Sequence, residues 1–206
     1  HTVQLKQEGI TTSSVVKDWI FLEGQDRVVV AIVDSKGQWI VQRQQRYALP
    51  GGPVLTPVQG MLIPEKESPF VAAQRIVLQQ TGLTTTASQE TESLPKDSFS
   101  PMLDEYGLQD GKVPDKFQRD WTFLGRYRNL GDQGGGFTYS YLLQNAVPGS
   151  AKGGTVDFLP PLNNLREQPE LVTMGMQHVK ETLQNGDFPE ITGVATMSLA
   201  LQGVQS

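Results

Sequence analysis

The chain has 206 residues, 37% of them hydrophobic, and 17 basic against 22 acidic side chains leave a net charge of -5. That suffices for one large or two small domains with an ordinary core, and the acidic balance excludes the basic stripe of a nucleic-acid binder. Cysteine is absent, which removes disulfide scaffolds, thiolate metal sites and cysteine nucleophiles, and no apolar run approaches the roughly 18 to 20 residues of a membrane span. The start at His1, with no charged segment leading into an apolar signal region, fits a chain from which a leader has been removed, or one trimmed artificially. A removed leader would place it in an organelle, a plastid or mitochondrion.

Residues 1–18 are polar and punctuated by Thr and Ser, and read as an extended arm. Arg27 to Asp34 reads as a buried strand, Ser35-Lys-Gly37 as a tight turn, and Trp39 to Arg43 as the returning strand. Pro50-Gly-Gly-Pro53 interrupts the pattern, and Val54-Leu55 resumes it. Glu67 to Gln80 reads as a helix, entered through Ser68 as N-cap with Pro69 at the first helical position and left through Gly82. Residues 84–120, rich in Thr, Ser, Asp and Pro, show no sustained period and read as an insertion or a partly ordered excursion. Strands resume at Trp121 to Tyr127 and Phe137 to Leu143, followed by a short strand near Thr155 to Leu159. Helices are expected over Glu170 to Gln184, closed by Asn185-Gly186, and over Thr192 to Leu201. Strands, a helix, strands and then helices make a mixed α+β sandwich the natural class.

Glu67, Arg75, Val77 and Gly82-Leu83 fall at the spacing of the motif G-x5-E-x7-R-E-U-x-E-E-x-G-U, where U is apolar. Val41 to Tyr47 looks like V-x-Q-Y-R-Y, and Val54 to Gly60 stands where V-L-E-L-P-A-G is usual. Leu124-Gly-Arg-Tyr127 with Gly134 to Phe137, and Leu183 to Gly186 with the helix after it, extend the match over Trp19 to Gln202. In these residues the chain resembles the Nudix hydrolases, most closely their ADP-ribose and ADP-sugar pyrophosphatase branch. The resemblance implies an α/β/α sandwich with a mixed sheet, and a single Nudix-like domain over residues 19–206 that carries an insertion at about 84–120.

Nudix chemistry hydrolyses a pyrophosphate with magnesium, a hard ion held by carboxylate oxygens. Where the family's helix supplies those carboxylates, this chain has Ile76, Gln79 and Gln80, which share an arc of roughly 100° on one helix face. No cofactor is therefore expected, and the box positions Glu67, Arg75, Ile76, Gln79 and Gln80 are expected to carry no catalysis. Gly60 lies seven residues before Glu67, so either the loop has an insertion or Met61 takes the glycine position. Val58-Gln59-Gly60 replaces P-A-G, whose backbone oxygen commonly helps hold a metal, and Thr56 replaces the preceding glutamate. Glu65 and Glu67 remain as fallback metal ligands, weighed against a solvated pair. Gln79, four residues after Arg75, offers it a neutral amide.

The branch holds adenine and ribose with aromatic faces and arginines, which puts Trp39, Arg43, Arg46, Tyr47 and Arg126 forward as ligand-binding candidates. Ordinary strand packing is the weightier reading for Trp39 and for Tyr47, Tyr139 and Tyr141. Gly134 to Gly136 suits a phosphate approach or a plain hairpin. His178, the sole internal histidine, has no cysteine or serine motif to serve. Three functions follow. The first is a catalytically degenerate Nudix-fold subunit that contacts other protein chains through its arm and insertion. The second is a binder of a nucleotide diphosphate without turnover. The third is an active hydrolase of ADP-ribose or an ADP-sugar, which would need Mg.

Overall fold

The structure, a computed structural model, describes residues 3–4, 15–16, 24–45, 51–63, 67–86, 111–129, 135–149 and 169–204. Within the arm, β1 (Val3–Gln4) pairs antiparallel with β2 (Val15–Val16). The run of β-branched residues Arg27–Asp34 forms β3, and Asp34 turns the chain back by accepting from the backbone N–H groups of Lys36 and Gln38, both at 2.8 Å. This Asx-type turn leads into β4 (Trp39–Gln45). After Gly51 and Gly52, both at positive φ, come β5 (Pro53–Thr56) and β6 (Val58–Met61), separated by Pro57.

Helix α1 covers Pro69–Thr81. Its start lies two residues later than Glu67, because Ser68 in extended conformation accepts from Val71 N–H and Pro69 occupies the first turn. Its exit is Gly82 at φ 68°, a left-handed cap that an L side chain adopts reluctantly. Next come β7 (Leu83–Thr84), a 3-10 turn at Asp115–Phe117, β8 (Trp121–Arg128) and β9 (Phe137–Pro148). Five residues longer than its alternation suggested, β9 is flanked by β3, β7 and β8 along its length.

The helix expected over Glu170 to Gln184 is two elements. Glu170–Met174 is a strand, β10, paired residue for residue with β4, and only Met176–Asn185 is helical, as α2. Leu171, Val172 and Thr173 suit an edge strand, and Gly175, extended at φ -72° and ψ 160°, separates the two. The last helix, α3, covers Ile191–Val204 and exceeds its expected span at both ends. The short strand expected near Thr155 to Leu159 lies outside the described residues, as does 87–110 of the expected insertion. Residues 111–120 place Val113 and Phe117 in the core.

Strands β3 to β10 form one mixed sheet in which β3 runs parallel to β9 and the other pairings are antiparallel. Alternation along β3 sends Val28, Val30 and Ile32 to one face, where they pack with Phe70, Ala73, Ile76 and Val77 of α1. Ala31 and Val33 face the other way, toward Val179 of α2 and Met197 and Ala200 of α3. The result is an α+β sandwich, helix over mixed sheet over helices. No described helix is long and apolar enough to cross a membrane.

Candidate functional site

Helix α1 packs on β3, β6 and β7, and Gln80 near its C-terminal end reaches β4 and β6, the region in which the resemblance puts a metal. Ile76 is 2% exposed and packs in the core. A Cβ placed on Gly60 would meet its Cδ1 at 2.8 Å, so the Ile76 side chain packs directly on the Gly60 backbone. Gln79 Oε1 accepts from Arg75 Nη1 at 3.1 Å. Gln80 reaches the sheet: its Nε2 donates to the Gln59 backbone oxygen at 2.8 Å, and its Oε1 accepts from Gln42 Nε2 at 3.0 Å. The three positions share a side of the helix but not a task.

Around this bridge the polar contacts are mostly neutral. Gln42 and Thr56 are each 1% exposed. They stand opposite one another across β4 and β5, and Gln44 Nε2 donates to Thr56 Oγ1 at 2.8 Å. On the far face of β6, Gln59 Nε2 donates to Glu190 Oε2 at 2.8 Å, which ties the strand to the entry of α3. Gln42 and Glu190 were missed from sequence. Gln42 and Gln44 at i, i+2 mark a polar strand face, but only the fold reveals which helix covers it.

Glu67 is buried and doubly engaged by Arg75. Its Oε2 accepts from Nε at 2.8 Å and its Oε1 from Nη2 at 2.6 Å, while Oε1 also takes the Ile63 N–H at 2.8 Å. Arg75 Nη2 adds the Met61 carbonyl at 3.1 Å. The arginine's chief partner is thus this carboxylate eight residues earlier, rather than Gln79. Such a fork locks the loop before α1 onto the helix. Glu65, Arg46 and Tyr47 lie outside the described residues.

Among the remaining ligand-binding candidates, Trp39 is fully buried with Met174, Val179 and Met197, and offers no face to a ligand. Arg43, largely exposed, pairs with Glu170 at 3.2 Å. Arg126 and its neighbour Arg128 are exposed, and both lie over the Phe137 ring, at 4.6 and 4.8 Å. The structure therefore does not gather Trp39, Arg43 and Arg126 into one site. Gly134 is outside the described residues. Gly136, at φ 74°, approaches the Gly24 and Gln25 carbonyls so closely that a Cβ would lie 2.7 Å from each. That glycine serves a contact between two backbone segments.

Beside Arg126, burial raises the pKa of the Tyr139 phenol; a hydrogen bond with Arg126 opposes the rise, and the Asp26 charge adds to it. Tyr141 is pushed up further by burial, and its hydroxyl donates to Gly111 O at 2.8 Å. A separate cavity of about 670 Å³ lies between residues 112–118 and the start of β8, with Lys112, Lys116, Trp121 and Phe123 in its lining. None of its lining residues belongs to the glutamine bridge.

No family model matches the sequence, and no curated protein matches it. Solved structures do match in shape. One, described as the crystal structure of an ADP compounds hydrolase, superposes with a TM-score of 0.60 at 14% identity, covering 100% of this chain and 92% of that one. A NUDIX hydrolase from Nitrosomonas europaea gives 0.50 at 11% identity, with 87% and 90% covered. At such identities the likeness shows the fold alone: this chain has the α+β fold of Nudix hydrolases.

Proposed function

We propose that the chain is a catalytically degenerate Nudix-fold protein that serves as a structural or interaction subunit of a larger assembly, in contact with other protein chains. The observation that carries this reading is the Gln80 side chain. Its amide N–H2 rests on the Gln59 carbonyl, the backbone oxygen that the resemblance would turn toward a metal, and its one oxygen is taken by Gln42. Ile76 has no oxygen to offer, and both oxygens of Glu67 are committed to Arg75.

Magnesium favours carboxylate oxygens and near-octahedral geometry. Among the described residues, no group of three or more Asp, Glu or His stands close enough to hold a metal ion. These residues do not fit magnesium, and no metal-dependent step is derived for them. A second reading, a nucleotide-diphosphate binder without turnover, is favoured by Arg126 and Arg128, two exposed guanidinium groups over one ring.

The test is hydrolysis of ADP-ribose and ADP-glucose by the purified chain with magnesium or manganese. Turnover is expected to stay below about 0.1 per second, against an enzyme scale of roughly 1 to 10³ per second. Faster turnover that co-elutes with the protein would sink the degenerate reading. Saturable calorimetric binding of ADP-ribose without turnover would favour the second.

A further inference from the structure

The cavity between residues 112–118 and the start of β8 is apolar below and polar around its mouth. Trp121 in its lining is 2% exposed, and Pro114 and Phe123 are half-buried. Asp115, Lys116, Gln118 and Thr122 line it as exposed polar side chains. Small-molecule sites are built this way, from an apolar floor with a few convergent polar groups, and about 670 Å³ lies within their usual range of roughly 300 to 1,000 Å³.

Both walls are fixed by the fold. On one side Val113 and Phe117 enter the core, and Gln118 Nε2 donates to the Val113 carbonyl at 3.2 Å and to Asp115 Oδ1 at 2.9 Å. On the other, Trp121, Thr122 and Phe123 pair with Leu143, Leu142 and Tyr141 of β9. A ligand entering a preformed cavity is spared the cost of ordering it. Charge then selects the ligand. Residues 111–128 carry five basic and two acidic side chains in a chain of net charge -5, which favours anions at this end of the molecule. Asp115 is engaged by Gln118 within its own turn. Lys116 Nζ lies 4.8 Å from the Phe117 ring centroid and belongs to no ion pair among the described residues. An ammonium has three donors, and the ring occupies one side of it.

We propose that this cavity binds a small organic anion: a flat, apolar body rests against Pro114, Trp121 and Phe123, and a carboxylate or sulfonate on it pairs with Lys116. The cavity shares no lining residue with the glutamine bridge, so its occupancy is independent of any hydrolysis there and of the chain's role in an assembly.

Calorimetric titration of the full chain with anilinonaphthalene sulfonate, an aromatic monoanion, tests it beside the uncharged phenylnaphthylamine. One saturable site per chain is expected, with a Kd of about 10 to 300 µM for the sulfonate and binding at least about fivefold weaker for the neutral compound. Lys116→Glu should weaken the sulfonate at least about fivefold and leave the neutral compound within about twofold, because only the charge is reversed. Lys36→Glu, an exposed reversal in the turn between β3 and β4, should change neither. Thr122→Trp, at an exposed position of the lining, should weaken both compounds by filling the space. All three variants alter exposed side chains and should keep the parent's melting temperature. No saturable binding up to about 1 mM, equal affinity for the two compounds, an affinity that Lys116→Glu lowers no more than Lys36→Glu does, or one that Thr122→Trp leaves intact would overturn the proposal.

Discussion

A glutamine side chain donates and accepts at once, whereas a carboxylate only accepts, and Gln80 uses both abilities. Gln80→Glu should therefore not rebuild a metal ligand in place. It turns an oxygen toward the Gln59 carbonyl and leaves that acceptor without its donor. The expected cost is roughly 1 to 3 kcal/mol of stability at pH 7, read by urea denaturation. The introduced carboxyl should also have a raised folded-state pKa, since its protonated form alone can donate. Its deficit is then smallest below the unfolded value of about 4.3 and grows as pH rises through the folded value. Equal deficits at pH 4 and pH 7 would show that the amide donor is not what holds Gln80. Arg75 differs, because its carboxylate partner Glu67 supplies net charge as well as two acceptors. One pair of positions thus kept an ionic lock, while its neighbour carries a neutral one.

At the scale of elements, α1 depends on its ends as well as its buried face. It has 13 residues and no acidic side chain in its first turn, so the Ser68 hydroxyl is its only side-chain cap among the described contacts at that end. Ser68→Ala should lower stability by about 1 kcal/mol in thermal or urea unfolding, and Ser68→Asp should recover most of it through the same acceptor geometry and the helix dipole. No loss on Ser68→Ala would mean that Pro69 and packing alone fix the start. This helix was legible in the sequence because its signals are local: Ser68, Pro69, Gly82 and the spacing of Glu67 to Arg75. By contrast, β10 was not, because Glu170–Met174 is extended through pairing with β4, and Glu170 reaches Arg43 across 127 positions. Residues 111–120 have no period to read, yet Val113 and Phe117 enter the core. In the candidate site, the missing glutamates were visible from sequence. What fills their place was not, since Gln42 and Gln80 are 38 residues apart and meet only once α1 packs on the sheet.

For the whole molecule, the α1 face of the sheet is closed by an aromatic cluster that joins elements distant in sequence. Phe70 of α1, Phe117 beyond β7, Trp121 and Phe123 of β8 and Tyr141 of β9 meet with ring centroids 5.3 to 6.3 Å apart. Tyr141 carries a polar group into this cluster, and its hydroxyl holds Gly111, hence the return of the chain toward β8. Burial raises the pKa of Tyr141, and of Tyr139 beside it despite the opposing Arg126. The consequence for folding has a definite sign. Tyrosines in the unfolded chain ionise near pH 10, while the folded state keeps these two protonated to higher pH. Their contribution is complete below about pH 10 and is lost above it, by up to about 1.4 kcal/mol per pH unit for each such group. The urea midpoint should accordingly drop on the alkaline side of pH 10. Tyr141→Phe should cost roughly 1 to 2 kcal/mol at pH 8, because the Gly111 carbonyl loses its donor, yet the variant should decline less steeply above pH 10 and its curve should approach the parent's. Parallel curves would mean that the Tyr141 phenol ionises without unfolding the chain, and the cluster would then be open to solvent rather than the closed joint between α1, β8 and β9.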